Sequence, residues 1–102
     1  MFARMATYEL VDGRGDEWLD PFRSAIDRIR TLDGLVDAFF LVERDGRQAI
    51  SLTLWDTLDS MERSGVAAAA ARMDAAHEAG AVVTSALELE VGIRASGEVP
   101  SA

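Results

Sequence analysis

Residues 35–64 read LVDAFFLVER (35–44), DG (45–46), RQAISLTLW (47–55) and DTLDSMERS (56–64), and this stretch decides the fold. Two apolar runs flank Asp45-Gly46. Asp-Gly between such runs is a strong hairpin signal, because a tight primed turn needs positive φ and glycine reaches it without a Cβ clash. The flanking Arg47 leaves room for a turn of two residues or slightly more. After Trp55 a polar cluster follows at once. Asp56 or Thr57 can cap a helix, and Ser60, Glu62 and Arg63 suit its exposed face. Strand, hairpin, strand, helix is half a fold.

Upstream, Phe2 to Val11 alternates as a strand, with Phe2, Arg4, Ala6, Tyr8 and Leu10 on one face and Ala3, Met5, Thr7 and Glu9 on the other. Asp12-Gly13-Arg14-Gly15 breaks the pattern. Trp18, Phe22, Ile26, Ile29 and Leu32 then recur at helical spacing. Pro21 is tolerated in a first helical turn, so either Asp20 caps a helix beginning at Pro21 or an earlier start carries a kink. Asp33-Gly34 stops this helix, with Gly34 suited to a left-handed C-cap. Downstream, Ser64-Gly65 interrupts the second helix, which resumes from Val66 to about Ala79 through the strongly helical Ala67–Ala71 and ends at Gly80. Val82 to Ile93 reads as a long last strand.

The order is βαββαβ, an α+β arrangement in which two helices cover one face of a four-stranded sheet. Residues 1–94 form the single domain. Residues 95–102, with Gly97, Pro100 and Ser101, have no apolar pattern and are expected to be a flexible tail. The middle strands are apolar on both faces. Val36, Ala38, Phe40 and Val42 oppose Leu35, Phe39 and Leu41, and Ile50, Leu52 and Leu54 oppose Ala49, Ser51, Thr53 and Trp55. A second apolar sheet face needs cover, and the chain has no element left to supply it. A homodimer through the sheet faces is therefore expected.

Composition narrows the function. The chain has 102 residues, 49% of them hydrophobic, enough for one domain with a core. Formal charge is −8, which argues against nucleic acid and anionic membranes as partners. No run approaches the ~20 apolar residues of a membrane span. Met1-Phe2-Ala3-Arg4 does not lead into a signal-peptide core, so a cytoplasmic location is expected. There is no Cys, which excludes thiolate chemistry, and one His, which excludes a multi-histidine metal site within the chain. All ten basic residues are Arg, and Lys and Asn are absent, a bias that fits a GC-rich genome.

The strand-to-helix passage Ser51-Leu52-Thr53-Leu54-Trp55-Asp56, followed by Leu58, Met61 and Ser64, resembles the antibiotic-biosynthesis-monooxygenase-like proteins of the dimeric α+β barrel superfamily. The short first strand carrying Arg4, the Gly34-Leu35 start of the second strand, and Gly80 before the last strand are similar too. The resemblance runs from about Phe2 to Val91. It implies two ferredoxin-like protomers packed sheet to sheet, each with a pocket between helices and sheet. It also implies that an aromatic, polyketide-like substrate could be oxidised by O₂ with no cofactor. The haem-degrading members use an Asn and a helical Trp, and the polyketide oxygenases use the Asn as well. This chain has no Asn and no Trp in its second helix, which makes haem handling the weakest of the readings.

His77 and Arg4 are the candidate catalytic residues. His77 is the only side chain whose ordinary pKa lies near neutrality. It shares helical spacing with Val66, Ala70 and Met73, a stripe expected to face the sheet, and it sits near a helix C-terminus whose dipole favours the imidazolium. It could act as a pocket base, or as a helix-end group bonded to a carbonyl, Asp74 or water. Arg4, on a half-buried strand, calls for an ion-pair partner or an anionic ligand, and could stabilise a substrate anion. Tyr8, Trp55 and Met73 are candidate ligand-binding residues, although core packing employs the same types. The alternative to an enzyme is a non-catalytic dimeric module that binds or senses a small apolar or aromatic ligand.

Overall fold

The computed structural model describes residues 1–10, 19–44 and 47–97. The break at Asp12–Gly15, Trp18, the Asp45-Gly46 turn and residues 98–102 of the tail lie outside the described residues. The elements are β1 (Phe2–Leu10), α1 (Leu19–Ile29), β2 (Leu35–Val42), β3 (Gln48–Trp55), α2 (Leu58–Arg63), α3 (Gly65–Ala79) and β4 (Ala81–Glu90). The sheet order is β2-β3-β1-β4 and every neighbouring pair is antiparallel. This is the ferredoxin-like βαββαβ arrangement the sequence predicts, with the second helix in two pieces.

The local signals explain the breaks. Thr57, in extended conformation, is the N-cap of α2, and its hydroxyl accepts from the Ser60 backbone N–H at 3.1 Å. Ser64 separates α2 from α3. Gly80 ends α3 in the left-handed conformation at φ 68°. The hairpin is closed by the Glu43 N–H bonded to the Gln48 carbonyl at 2.9 Å. Pro21 lies in the first turn of α1, where its missing N–H costs nothing. Gly34 departs from its expected role. The helix ends at Ile29, and Gly34 (φ 85°) instead turns the chain into β2, its carbonyl accepting from the Asp56 N–H at 2.9 Å.

Pairing sorts the strand residues by face. Arg4, Ala6 and Tyr8 of β1 pair with Thr53, Ser51 and Ala49 of β3, and Phe40 of β2 pairs with Ser51. These face the helices. Tyr8, Phe22, Ala25, Ala49, Ala71 and Ala75 are central to the core there, with Phe40 packed against it. The Tyr8 and Phe22 rings meet edge to face at 5.0 Å, and Phe22 stacks on Phe40 at 4.2 Å.

The opposite face carries Met5, Phe39, Leu41, Ile50, Leu52 and Leu54, joined by Leu87 and Leu89 of β4. Phe39, Leu41, Leu87 and Leu89 are exposed there. Between Thr7 and Tyr8 the β1–β4 register slips by one residue, and Thr84 is the extra one. The bulge moves Val83 to the helix side while Leu87 stays on the open side, so simple alternation through the last strand fails at Thr84. That strand ends at Glu90 rather than Ile93.

The expected inward stripe of the second helix is corrected. Val66 is 86% and Met73 65% exposed, and Ala70 and His77 are exposed as well. The face turned inward is Ala68, Ala71, Ala75, Ala76 and Ala79. The physical reason is distance. A helix packed through methyl groups lies close to its neighbours, and larger side chains such as Val66 and Met73 fit only on its outer side. No helix among the described residues is long and apolar enough to cross a membrane.

Candidate functional site

Between α1, α3 and the inner sheet face lies a cavity of about 50 Å³. Its apolar wall is Tyr8, Phe22, Phe40, Ala25, Ile26, Ile29, Ala68 and Ala71, and its polar end is Arg4, Ser51, Thr53 and Arg72. The polar end follows from β3. Its alternation places Ser51 and Thr53 inward and Ile50, Leu52 and Leu54 outward, the reverse of a one-sided sheet.

Arg4 is the best-anchored polar group of the site. It is 7% exposed, and its Nη2 donates to the Met61 carbonyl at 2.6 Å. Nη1 makes a longer 3.5 Å contact to the Ser64 hydroxyl. Its guanidinium lies 5.6 Å from the centre of the Trp55 ring, in cation–π range. Trp55 is fully buried and donates from Nε1 to the Thr53 hydroxyl at 3.0 Å. Arg4's ion partner is Glu88 at 3.6 Å, a loose pair whose acidic side chain is 55% exposed. Burial lowers the guanidinium's pKa; Glu88 opposes this and the nearby charge of Arg72 adds to it.

Tyr8 supplies the second polar group. Its hydroxyl and that of Ser51 are 2.9 Å apart. Burial raises its pKa, with the Ser51 bond and the Arg72 charge acting the other way, so the phenol keeps its proton at neutral pH. The cavity thus offers a cation, hydroxyl donors and aromatic faces, and none of its described lining residues is a base near neutrality.

The expected site residues divide in three. Arg4 and Tyr8 line one cavity. Trp55 lies behind Arg4, beneath the guanidinium. His77 and Met73 are exposed on the outer side of α3 and do not line the cavity. Sequence reasoning did not name Arg72, Phe22 or Ser51 as site residues, although helical spacing places Phe22 on the apolar stripe of α1. One signal for Arg72 was available: Ala68, Arg72, Ala75 and Ala79 follow helical spacing, so the arginine interrupts a stripe of inward alanines.

No protein-family model and no curated protein sequence matches the chain. Solved structures do. The chain is similar to the haem degrader MhuD from Mycobacterium tuberculosis, with two haems bound in its active site (TM-score 0.67, 21% identity, 94% of this chain and 100% of that one). It is similar to SnoaB, a cofactor-independent oxygenase from Streptomyces nogalater (TM-score 0.65, 16% identity, 98% and 97% covered). It is also similar to an antibiotic biosynthesis monooxygenase candidate from Deinococcus radiodurans (TM-score 0.68, 15% identity, 97% and 100% covered). At these identities the likeness establishes the fold, which is the antibiotic-biosynthesis-monooxygenase-like one expected from residues 51–64.

Proposed function

We propose that this chain is a homodimeric small-molecule-binding protein whose cavity takes an aromatic group. The cavity carries the reading. An apolar chamber walled by Tyr8, Phe22 and Phe40 has its hydrogen-bonding groups, Arg4, Ser51 and Thr53, gathered at one end. That is the pattern of a site which buries an apolar body and orients it by a few polar contacts. Alanines in the wall give a direct readout. With ¹³C-methyl alanine labelling, 1-naphthol at millimolar concentration should shift the methyls of Ala25, Ala68 and Ala71. Filling the chamber by Ala68→Leu should remove the shifts while the urea midpoint reports a folded chain. Unmoved methyls in the wild-type protein would sink the proposal.

Dimerisation is proposed from the open sheet face. Phe39, Leu41, Leu87 and Leu89 are exposed on it together, where a soluble monomer ordinarily scatters such residues. Sheet-to-sheet packing should bury more than about 1,200 Å² in total. Sedimentation equilibrium at micromolar concentration should give twice the chain mass, and a monomer there would refute the arrangement.

A catalytic version is favoured by Arg4. A buried cation at the end of an aromatic chamber would stabilise a substrate anion, the form that reacts directly with O₂, the oxidant. Oxidation without a cofactor, as in the similar SnoaB, would then be substrate-driven. With no base among the described lining residues, the substrate would enter ionised or lose its proton to water. O₂ uptake with anthrone, dependent on Arg4, is the test. Haem fits less well. The single His, His77, is exposed on the outer side of α3 and does not line the cavity.

A further inference from the structure

The cavity does not end at its polar wall. On the other side of Arg4 and Arg72 lies an open groove of about 410 Å³ between α3 and β4, floored by Gly65, Ala69, Ala86 and Glu88. Both arginines line both spaces. They are the partition between a small aromatic chamber and a larger solvent-facing groove.

Charge at this partition is unbalanced. Arg28, Arg30 and Arg63 each pair with an aspartate, Asp74, Asp27 and Asp59. Arg72, half-buried on α3, has no ion-pair partner among the described residues. Arg4 has the loose, half-exposed Glu88 at 3.6 Å and no other acid among them. Two guanidinium groups therefore line the groove beside a single carboxylate, Glu88, which pairs with Arg4, in a chain whose net charge is −8. Surplus positive charge at the mouth of an apolar chamber is unfavourable unless an anion joins it.

We infer that the ligand of this site is an aryl carboxylic acid, its ring in the chamber and its carboxylate between Arg4 and Arg72, where it displaces Glu88. This rests on the ligand-binding reading above and names its substrate class. A carboxylate is planar and accepts two parallel N–H donors from a guanidinium, which a loosely held Glu88 does not provide. The ring belongs inside because Tyr8, Phe22 and Phe40 present both faces and edges there. Entry needs one movement. An apolar cavity that holds benzene measures about 150 Å³, so at about 50 Å³ the chamber must open. Swinging the Arg72 side chain aside joins chamber to groove and brings that cation to the incoming carboxylate.

The test compares 3-phenylpropionate with its neutral counterpart 3-phenylpropan-1-ol, by titration against ¹³C-methyl alanine signals of Ala68, Ala69 and Ala71. The acid should bind about tenfold more tightly, the scale of one hydrogen bond between charged groups. Arg72→Ala, at a site where alanine suits the helix, should reduce that preference to within about threefold. Glu88→Gln should strengthen the acid and leave the alcohol unchanged, because it removes the internal competitor. Equal binding of acid and alcohol, or a preference that survives Arg72→Ala, overturns the inference while the aromatic chamber stands. Failure of both compounds to shift the alanines overturns the chamber as well. Phenyl phosphate binding more than about tenfold tighter than the acid would move the class from carboxylate to phosphate and overturn it too.

Discussion

Replacing Arg4 by Met tests the energetics of the site's anchor. Met keeps an unbranched stem and can hold its sulfur against Trp55, so the change removes the guanidinium more than the packing. Four interactions go, the weakest being the 3.5 Å contact to the Ser64 hydroxyl. The 2.6 Å bond to the Met61 carbonyl contributes about 1.5–3 kcal/mol, as a bond from a charged donor. The cation–π contact to a fully buried Trp55 contributes about 1–2 kcal/mol. The Glu88 pair adds at most about 1 kcal/mol, because its acid is half exposed. Two effects oppose the loss. The desolvation cost of the cation is relieved, which offsets several kcal/mol of gross interaction. The Met61 carbonyl also keeps the Ser64 hydroxyl at 2.8 Å, so it is not orphaned.

The net expectation for Arg4→Met is a destabilisation of about 1–2 kcal/mol, which lowers the urea midpoint by roughly 0.5–1 M at an ordinary m-value. The slope m should not change. A second variant isolates the cause. Ser64→Ala alone should cost little, since Arg4 still serves the Met61 carbonyl and Ser64 makes no side-chain cap to α3. In the Arg4→Met background the same change leaves that carbonyl without either donor, and the two should couple by about 0.5–1.5 kcal/mol. An unchanged or raised midpoint in Arg4→Met would refute the reasoning, because desolvation would then outweigh the contacts. Simple additivity in the double variant would refute the account of the Met61 carbonyl.

Other expectations follow from single positions. Gly34→Ala should destabilise by several kcal/mol, since a Cβ at φ 85° would strike Ser60 and Asp56, whereas Gly80→Ala, with nothing within 4 Å, should cost only about 1–2 kcal/mol; chemical denaturation of both separates strain from collision. Tyr8 is the single tyrosine, so absorbance near 295 nm titrates it alone. Burial raises its folded-state pKa, so its contribution to stability is complete below the unfolded value near 10 and is lost as pH climbs from there through the folded value. Phenolate absorbance in the native protein should therefore appear above pH ~10 and coincide with unfolding, and a Tyr8 that titrates freely at ~10 would contradict its burial. His77→Ala should leave both the urea midpoint and the binding of 1-naphthol unchanged, as the residue is exposed and away from the chamber.

The elements were legible because their signals are local. The strand-to-helix passage at Trp55-Asp56-Thr57 and the stop at Gly80 each rest on a cap or a φ requirement within a few residues. The last strand shows where this runs out. Its bulge at Thr84 is fixed by pairing with Thr7 and Tyr8, whose Thr7–Thr84 hydroxyl contact of 2.7 Å spans distant sequence. No period within 81–90 reveals that Val83 and Leu87 part company.

The inward face of α3 failed for a different reason. Hydropathy favours the stripe with the larger apolar residues, Val66 and Met73, and so drew His77 to the sheet. Packing favoured the smallest, because helix and sheet approach until methyl groups fill the gap. A run of alanines carries no amphipathic signal, and what marks its inner face is the one long polar side chain lying along it, Arg72.

The two faces of β3 connect these observations to function. Ser51 and Thr53 point beneath the helices while Ile50, Leu52 and Leu54 point to the open side. For a lone domain that distribution is inverted, with hydroxyls in the core and aliphatics toward water. With the proposed sheet-to-sheet dimer the aliphatics form a second core, and the domain no longer depends on its helix side alone for buried apolar area. The helix side is then free to hold hydroxyls, a buried guanidinium and an unfilled chamber, each of which costs stability where it stands. A chamber beside Arg4 and a two-sided sheet are therefore one design, and variants that weaken the open face should loosen the chamber along with the dimer.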